Sequence, residues 1–189
     1  MKKMFLLVIL SAIANSHSIH GAESEIESMN RSNYDYGYQK YGKETLSSIH
    51  GNGTVILEGT KISGLVQVNG NLKAEKSAIN SLQVNGQTDL HDCVITNTTI
   101  VNGSLNADKT KFQNALSVAS QKIVLRKCTV DTLTIREVSG YTGNQIVDLR
   151  SGTRVTGPIV VESGKGEIWI SSNSEISEAQ VSGAQVYRQ

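Results

Sequence analysis

The chain predicts an all-β fold: a single-stranded parallel β-helix of about seven or eight coils, with 16–18 residues in each. Three observations carry this expectation. The tripeptide Val-Asn-Gly occurs at 68–70, 84–86 and 101–103, so its copies start 16 and 17 residues apart. Apolar columns keep the same beat where the tripeptide fades. The composition is lean in rings and proline, with 5% aromatic residues, 17 Gly and one Pro.

The first column contains Val68, Val84, Val101, Val118, Ile135 and Val161, preceded two residues earlier by Val66, Leu82, Thr99, Leu116, Leu133 and Ile159. A second runs through Ile62, Ile79, Ile95, Phe112, Val130, Val155 and Ile176. Between them lies a third set: Leu72 and Ala74, Thr88 and Leu90, Leu105 and Ala107, Ile123 to Leu125, Ile146 and Val147, then Ile168 to Ile170. Each unit is three short segments of period-2 patterning divided by Asn, Gly, Asp or Ser. Such alternation signals strands and the polar clusters signal turns. A meander would mirror its spacing from strand to strand, whereas here every column recurs in the same sense. One coil cannot bury its apolar face alone, but stacked coils bury a continuous narrow core. Glycine suits positive-φ corners, and Pro158 falls at a strand start, where a missing donor is tolerated.

The ends differ in character. Met1-Lys2-Lys3 followed by the apolar run Met4–Ala14 and small residues near Ala22 predicts a bacterial-style secretory signal over 1–22. That run is too short for a stable transmembrane anchor. Residues 23–50 form a Tyr-rich leader that caps the first coil or contacts a partner, and 51–189 form the β-helix. Export implies the periplasm, the cell surface or the extracellular medium. Of 18 basic residues, loss of Lys2 and Lys3 leaves 16 against 17 acidic ones, about −1. Charges are interspersed along the chain, with no clustering of the kind nucleic-acid binding needs.

Export also favours disulfides, but the register argues against one. Cys93 and Cys128 fall in a column with Thr60, Ser77, Thr110, Thr153 and Ser174, two coils apart with Thr110 between. Two coils are roughly 9–10 Å, beyond disulfide reach. Both thiols are expected reduced and buried.

No constellation commits to a chemistry. His50 and His91 are isolated, so coil-based zinc catalysis lacks its clustered histidines. Asp89, Asp92 and Asp108 lie near corners without the paired carboxylates of pectinolytic β-helices. Calcium-binding nonapeptides, an ice-binding Thr ladder, a Ser-His-Asp set and a phosphate loop are missing from the sequence. No cofactor is expected. The candidate residues are therefore for interaction. The first column jumps 26 residues from Ile135 to Val161, an excess of nine over the preceding steps of 17, which places a loop at 136–145 bearing Arg136, Glu137 and Tyr141. Trp169 is the sole Trp, and Tyr34, Tyr36, Tyr38 and Tyr41 crowd eight residues of the leader.

Thr54–Gly59, Ile62–Leu72 and Val155–Val161 resemble the bactofilin family of polymer-forming bacterial cytoskeletal proteins, over roughly 51–186. The resemblance implies a compact right-handed β-helix flanked by short tails, with end-to-end polymerisation through an apolar, Phe-bearing last coil. Here the last coil, Glu178–Tyr187, is polar and lacks Phe, and the chain carries an export signal. The expected function is an exported, non-enzymatic structural or interaction protein that binds a protein partner or associates with itself. A surface adhesin or host-facing factor is the alternative, and a small carbohydrate-active enzyme a third reading.

Overall fold

A computed structural model describes residues 32–189, with backbone alone for 32–36. The expected signal over 1–22, the start of the leader, and the side chains of Tyr34 and Tyr36 lie outside the described residues.

Among the described residues, nineteen strands join in one parallel sheet wound into about nine turns. The first four coils hold β1 (Ser32–Tyr41), β2 (Thr45–Leu46), β3 (Ser48–Glu58), β4 (Lys61–Glu75) and β5 (Ala78–His91). The middle coils hold β6 (Val94–Ile95), β7 (Thr99–Asn102), β8 (Leu105–Asp108), β9 (Lys111–Phe112), β10 (Leu116–Ala119), β11 (Lys122–Arg126) and β12 (Thr129–Val130). The last coils hold β13 (Leu133–Arg136), β14 (Gln145–Arg150), β15 (Arg154–Val155), β16 (Ile159–Val161), β17 (Gly166–Ile170), β18 (Val181–Ser182) and β19 (Ala184–Arg188).

The columns pair as the beat requires. Val68 is in register with Val84, Val84 with Val101, Val101 with Val118, Val118 with Ile135 and Ile135 with Val161. All are at most 2% exposed. Full burial of such side chains is worth about 1.5–3 kcal/mol each. Thr88 and Thr99 interrupt the apolar columns, fully buried.

The stack begins ahead of residue 51, which takes it past seven or eight coils. β1 pairs with β3 over ten residues, Ser32 opposite Ser48 through Tyr41 opposite Leu57. Gln39 and Tyr41 turn inward beside Val55 and Leu57, at 6% and 9% exposure, and the Tyr41 hydroxyl donates to Gln39 Oε1 at 3.4 Å. The leader's end is thus a coil that lays a polar amide and a phenol over the otherwise open apolar core.

The repeated tripeptide follows from the first corner of each coil. Val points inward, while Asn stacks outward in a ladder. Asn69 Nδ2 donates to Asn52 Oδ1 at 2.9 Å, Asn85 to Asn69 at 2.7 Å and Asn102 to Asn85 at 2.6 Å. Gly then turns the corner at φ 139° for Gly70 and 143° for Gly86. A Cβ on Gly70 would lie 2.1 Å from the Gly53 carbonyl oxygen, and one on Gly86 2.0 Å from that of Gly70. Glycine is required both for the dihedral and for the approach of the coil beneath.

The second corner uses left-handed residues that are not glycine: Lys76, Asp92, Lys109 and Lys127, with φ between 49° and 53°. The residue that follows each turns inward and donates to the carbonyl two residues back. Ser77 Oγ bonds Glu75 at 2.9 Å, Cys93 Sγ bonds His91 at 3.3 Å, Thr110 Oγ1 bonds Asp108 at 3.1 Å and Cys128 Sγ bonds Arg126 at 3.2 Å. Cys93 and Cys128 are free, buried thiols. Thr110 lies between them in the ladder, its coil bonded through Lys111 N to Cys93 O at 2.9 Å and through Thr129 N to Thr110 O at 3.1 Å. Burial raises both thiols, Cys128 to about 11, so both are protonated at neutral pH.

The excess of nine divides between two corners. Four positions separate Val68 from Leu72, Val84 from Thr88 and Val101 from Leu105. Twelve separate Ile135 from its counterpart Val147, so eight extra residues sit at the first corner, in the loop 137–144. The ninth sits at the second corner, around Ser151 and Gly152: five positions separate Leu125 from Val130, and six separate Leu149 from Val155.

Candidate interaction site

The residues singled out in the sequence separate to opposite ends of the stack. Tyr38 and Tyr41 belong to the first coil with the backbone of Tyr34 and Tyr36; Tyr38 is 65% exposed and Tyr41 is buried. Arg136, Glu137, Tyr141 and Trp169 belong to the last third.

The loop 137–144 closes largely on itself. Tyr141 N bonds Val138 O at 3.0 Å, making a turn, and the Tyr141 hydroxyl donates to Asn144 O at 3.2 Å. Its phenol lies over Gly143, where a Cβ would come within 2.6 Å of the hydroxyl oxygen. Gln145, at 1% exposure, anchors the base by donating to Ser120 O at 2.9 Å and Arg136 O at 2.8 Å. Arg136 is drawn the other way. Its guanidinium reaches back across the Ala119 coil to Asn102 Oδ1 at 2.6 Å and Val101 O at 3.2 Å, closing the end of the amide ladder. Of the three loop candidates, Arg136 and Tyr141 donate hydrogen bonds within the chain, Arg136 Nε is buried without a partner, and Glu137 is exposed.

Trp169 joins the loop to the terminal strand. β17 sets Trp169 opposite Tyr187 of β19, and the rings stack with centroids 4.6 Å apart at 18°. Such a pair is worth about 0.5–1.5 kcal/mol beyond area burial. Glu167 takes bonds on both oxygens: Asn144 Nδ2 donates at 2.7 Å and Trp169 Nε1 at 3.3 Å. Lys165 Nζ donates to Thr142 O at 3.4 Å. The ridge of Glu167 and Trp169 parts two shallow depressions. One, of about 400 Å³, is lined by Asn144, Lys165, Glu167, Gln185 and Tyr187. The other, of about 290 Å³, is lined by Lys122, Asp148, Arg150, Trp169 and Gln189. In the latter, Asp148 is 7% exposed and bound by the Arg150 guanidinium, which the carboxylate holds above its usual range.

Sequence reasoning missed Glu167, Asn144 and Tyr187. The signal for Tyr187 was available, since it falls 18 residues after Trp169. His91 bonds the Asp108 carboxylate at 3.0 Å across adjacent coils. Among the described residues no group of three His, Cys, Asp or Glu side chains is placed to hold a metal ion, and no helix is long and apolar enough to cross a membrane.

Fold and site together define a parallel β-solenoid with a decorated C-terminal end. The chain matches no known protein family, no characterised protein and no solved structure in comparison.

Proposed function

We propose that this chain is an exported, non-enzymatic scaffold that engages a protein partner, or a second copy of itself, through its C-terminal coils. The observation that carries this reading is the convergence of the 137–144 loop, Glu167 and the stacked Trp169 and Tyr187 at one end of an otherwise regular rod. Aromatic side chains beside satisfied polar groups are the usual anchors of protein interfaces. The last strand supports the self-associating version. β19 is paired with β17, and the Val186 column above Ile168 is only partly covered. A further strand laid on that edge would continue the sheet. The bactofilin resemblance points the same way, although the polar terminal coil argues for weaker contacts than an apolar one would make.

Light scattering and negative-stain microscopy of the mature chain test self-association. Concentration-dependent assembly, abolished by Val186→Lys, is the expected result. A monomer at every concentration and salt removes this version. The adhesin alternative has one observation in its favour, the exposed Tyr38 on the first coil. Retention of cell or matrix binding after Tyr38→Ala would count against it.

A further inference from the structure

The sequence spreads its basic residues evenly, but the second corner gathers them. Lys109 and Lys127 occupy the same left-handed corner position in successive coils, at φ 50° and 52°, and Lys109 N bonds Arg126 O at 2.9 Å. Lys111 lies two residues beyond Lys109, on the outward side of the next strand, in the column that leads through Thr129 to Arg154. Arg126 stands directly opposite Arg150 in the β11–β14 pairing. Six cations thus occupy one corner over three coils, with coils about 4.8 Å apart and alternate residues about 6.6 Å apart.

Their neutralisation is incomplete. Arg150 binds Asp148, and Arg154 binds Glu175 at 2.8 Å. Arg126 donates to a neutral amide, Asn106 Oδ1, at 2.8 Å. Lys109, Lys111 and Lys127 are exposed and form none of the ion pairs among the described residues. Like charges placed opposite one another on paired strands are destabilising. The same corner in an earlier coil is balanced by the Glu75–Lys76 pair, and Asp108, opposite Arg126 and bonded to His91, sets one carboxylate at the near end of the strip. The six cations of the strip meet three carboxylates, those of Asp108, Asp148 and Glu175, which leaves an excess of positive charge.

We propose that this corner binds an acidic polysaccharide, sulfated or carboxylated, lying along the rod axis. A convex edge of evenly spaced point charges fits a linear polyanion whose charges recur at sugar spacing. Duplex nucleic acid is read by an element that enters a groove, and single strands are held by stacked aromatic rings. The corner has neither: the exposed large apolar residues among those described are Tyr38 and Val94. The strip touches the depression beside Trp169 only through Arg150, and binding in vitro does not depend on where the chain resides.

The test uses heparin as probe, with N-desulfated heparin and a 20-base-pair duplex DNA as comparison ligands. Affinity for the mature chain is measured by titration between 50 and 300 mM salt. The expected result is heparin binding that falls steeply with salt and weakens on N-desulfation, which removes part of the negative charge. Lys109→Gln/Lys127→Gln should lower it at least about tenfold, with an unchanged circular dichroism spectrum, while Lys61→Gln/Lys73→Gln, on exposed positions outside the strip, shifts it less than about twofold. No heparin binding at 50 mM salt, equal losses from both pairs, or duplex DNA bound as tightly as heparin would each overturn the proposal.

Discussion

The first corner behaves differently in the two halves of the rod. From Gly53 to Gly103 it is built from identical Asn-Gly steps, each glycine packed on the carbonyl of the one before. From Ala119 onward the step is lost: Ala119-Ser120 replaces it, then Arg136 with the 137–144 loop, then Glu162-Ser163-Gly164. The contrast shows what holds the length of this corner fixed. Where glycine lets one backbone rest on another, no residue can be added without parting the coils. Where it is absent the corner swells, and every added residue goes outward, away from the core.

The sharpest way to break this comparison is a methyl group at each kind of glycine. Gly86→Ala puts a Cβ 2.0 Å from the Gly70 oxygen at φ 143°, and should cost about 3 kcal/mol or more in urea denaturation, roughly 10 °C in Tm. Gly164→Ala has nothing within 4 Å and only a positive φ of 67° to oppose it, so about 1 kcal/mol is expected. Equal losses would mean that the stacked glycines do not set the length of the corner.

The second corner keeps its chemistry through both halves and should show it in alkali. Cys128 is raised by burial to about 11, so the unfolded thiol ionises first as pH rises. Stability is unaffected below about pH 9 and falls towards pH 11, by about 2–3 kcal/mol for this group. Cys128→Thr restores the hydroxyl found at Thr110 and Thr153. It should stay within about 1 kcal/mol of the parent at pH 7 and remove that part of the alkaline loss.

Smaller effects distinguish the interior of the amide ladder from its end. Asn85→Ala breaks two bonds, to Asn69 and Asn102, and should cost about 1 kcal/mol. Arg136→Ala frees only the exposed terminal acceptor and a partly buried carbonyl, with about 0.5–1 kcal/mol expected. Least of all, replacing 138–143 by a short Gly-Ser link should shift Tm by no more than a few degrees, because the core columns do not pass through the loop.

The columns were legible because a fixed period writes the same burial pattern repeatedly. Cys93 and Cys128 were placed by counting alone. The first coil was missed because Gln39 and Tyr41 occupy positions where the other coils, Thr88 apart, place aliphatic side chains. Its remaining mark is Gly37, at φ 97°, opposite Gly53. The site was harder to read. Arg136 serves a residue 34 positions earlier, and the basic corner draws on residues about a coil apart, so neither makes a local pattern. The partners of Glu167 depend on how the extra corner residues fold back, which no period encodes.

The amide ladder also has a direction. Each Asn side chain donates to the coil made before it, from Asn69 to Asn52 onward, and each glycine settles on a carbonyl already in position. A chain delivered N-terminus first, whether from a ribosome or a translocation pore, would find every template laid down before the residues that need it. Assembly is then vectorial, one turn at a time, with no strand waiting for a distant partner.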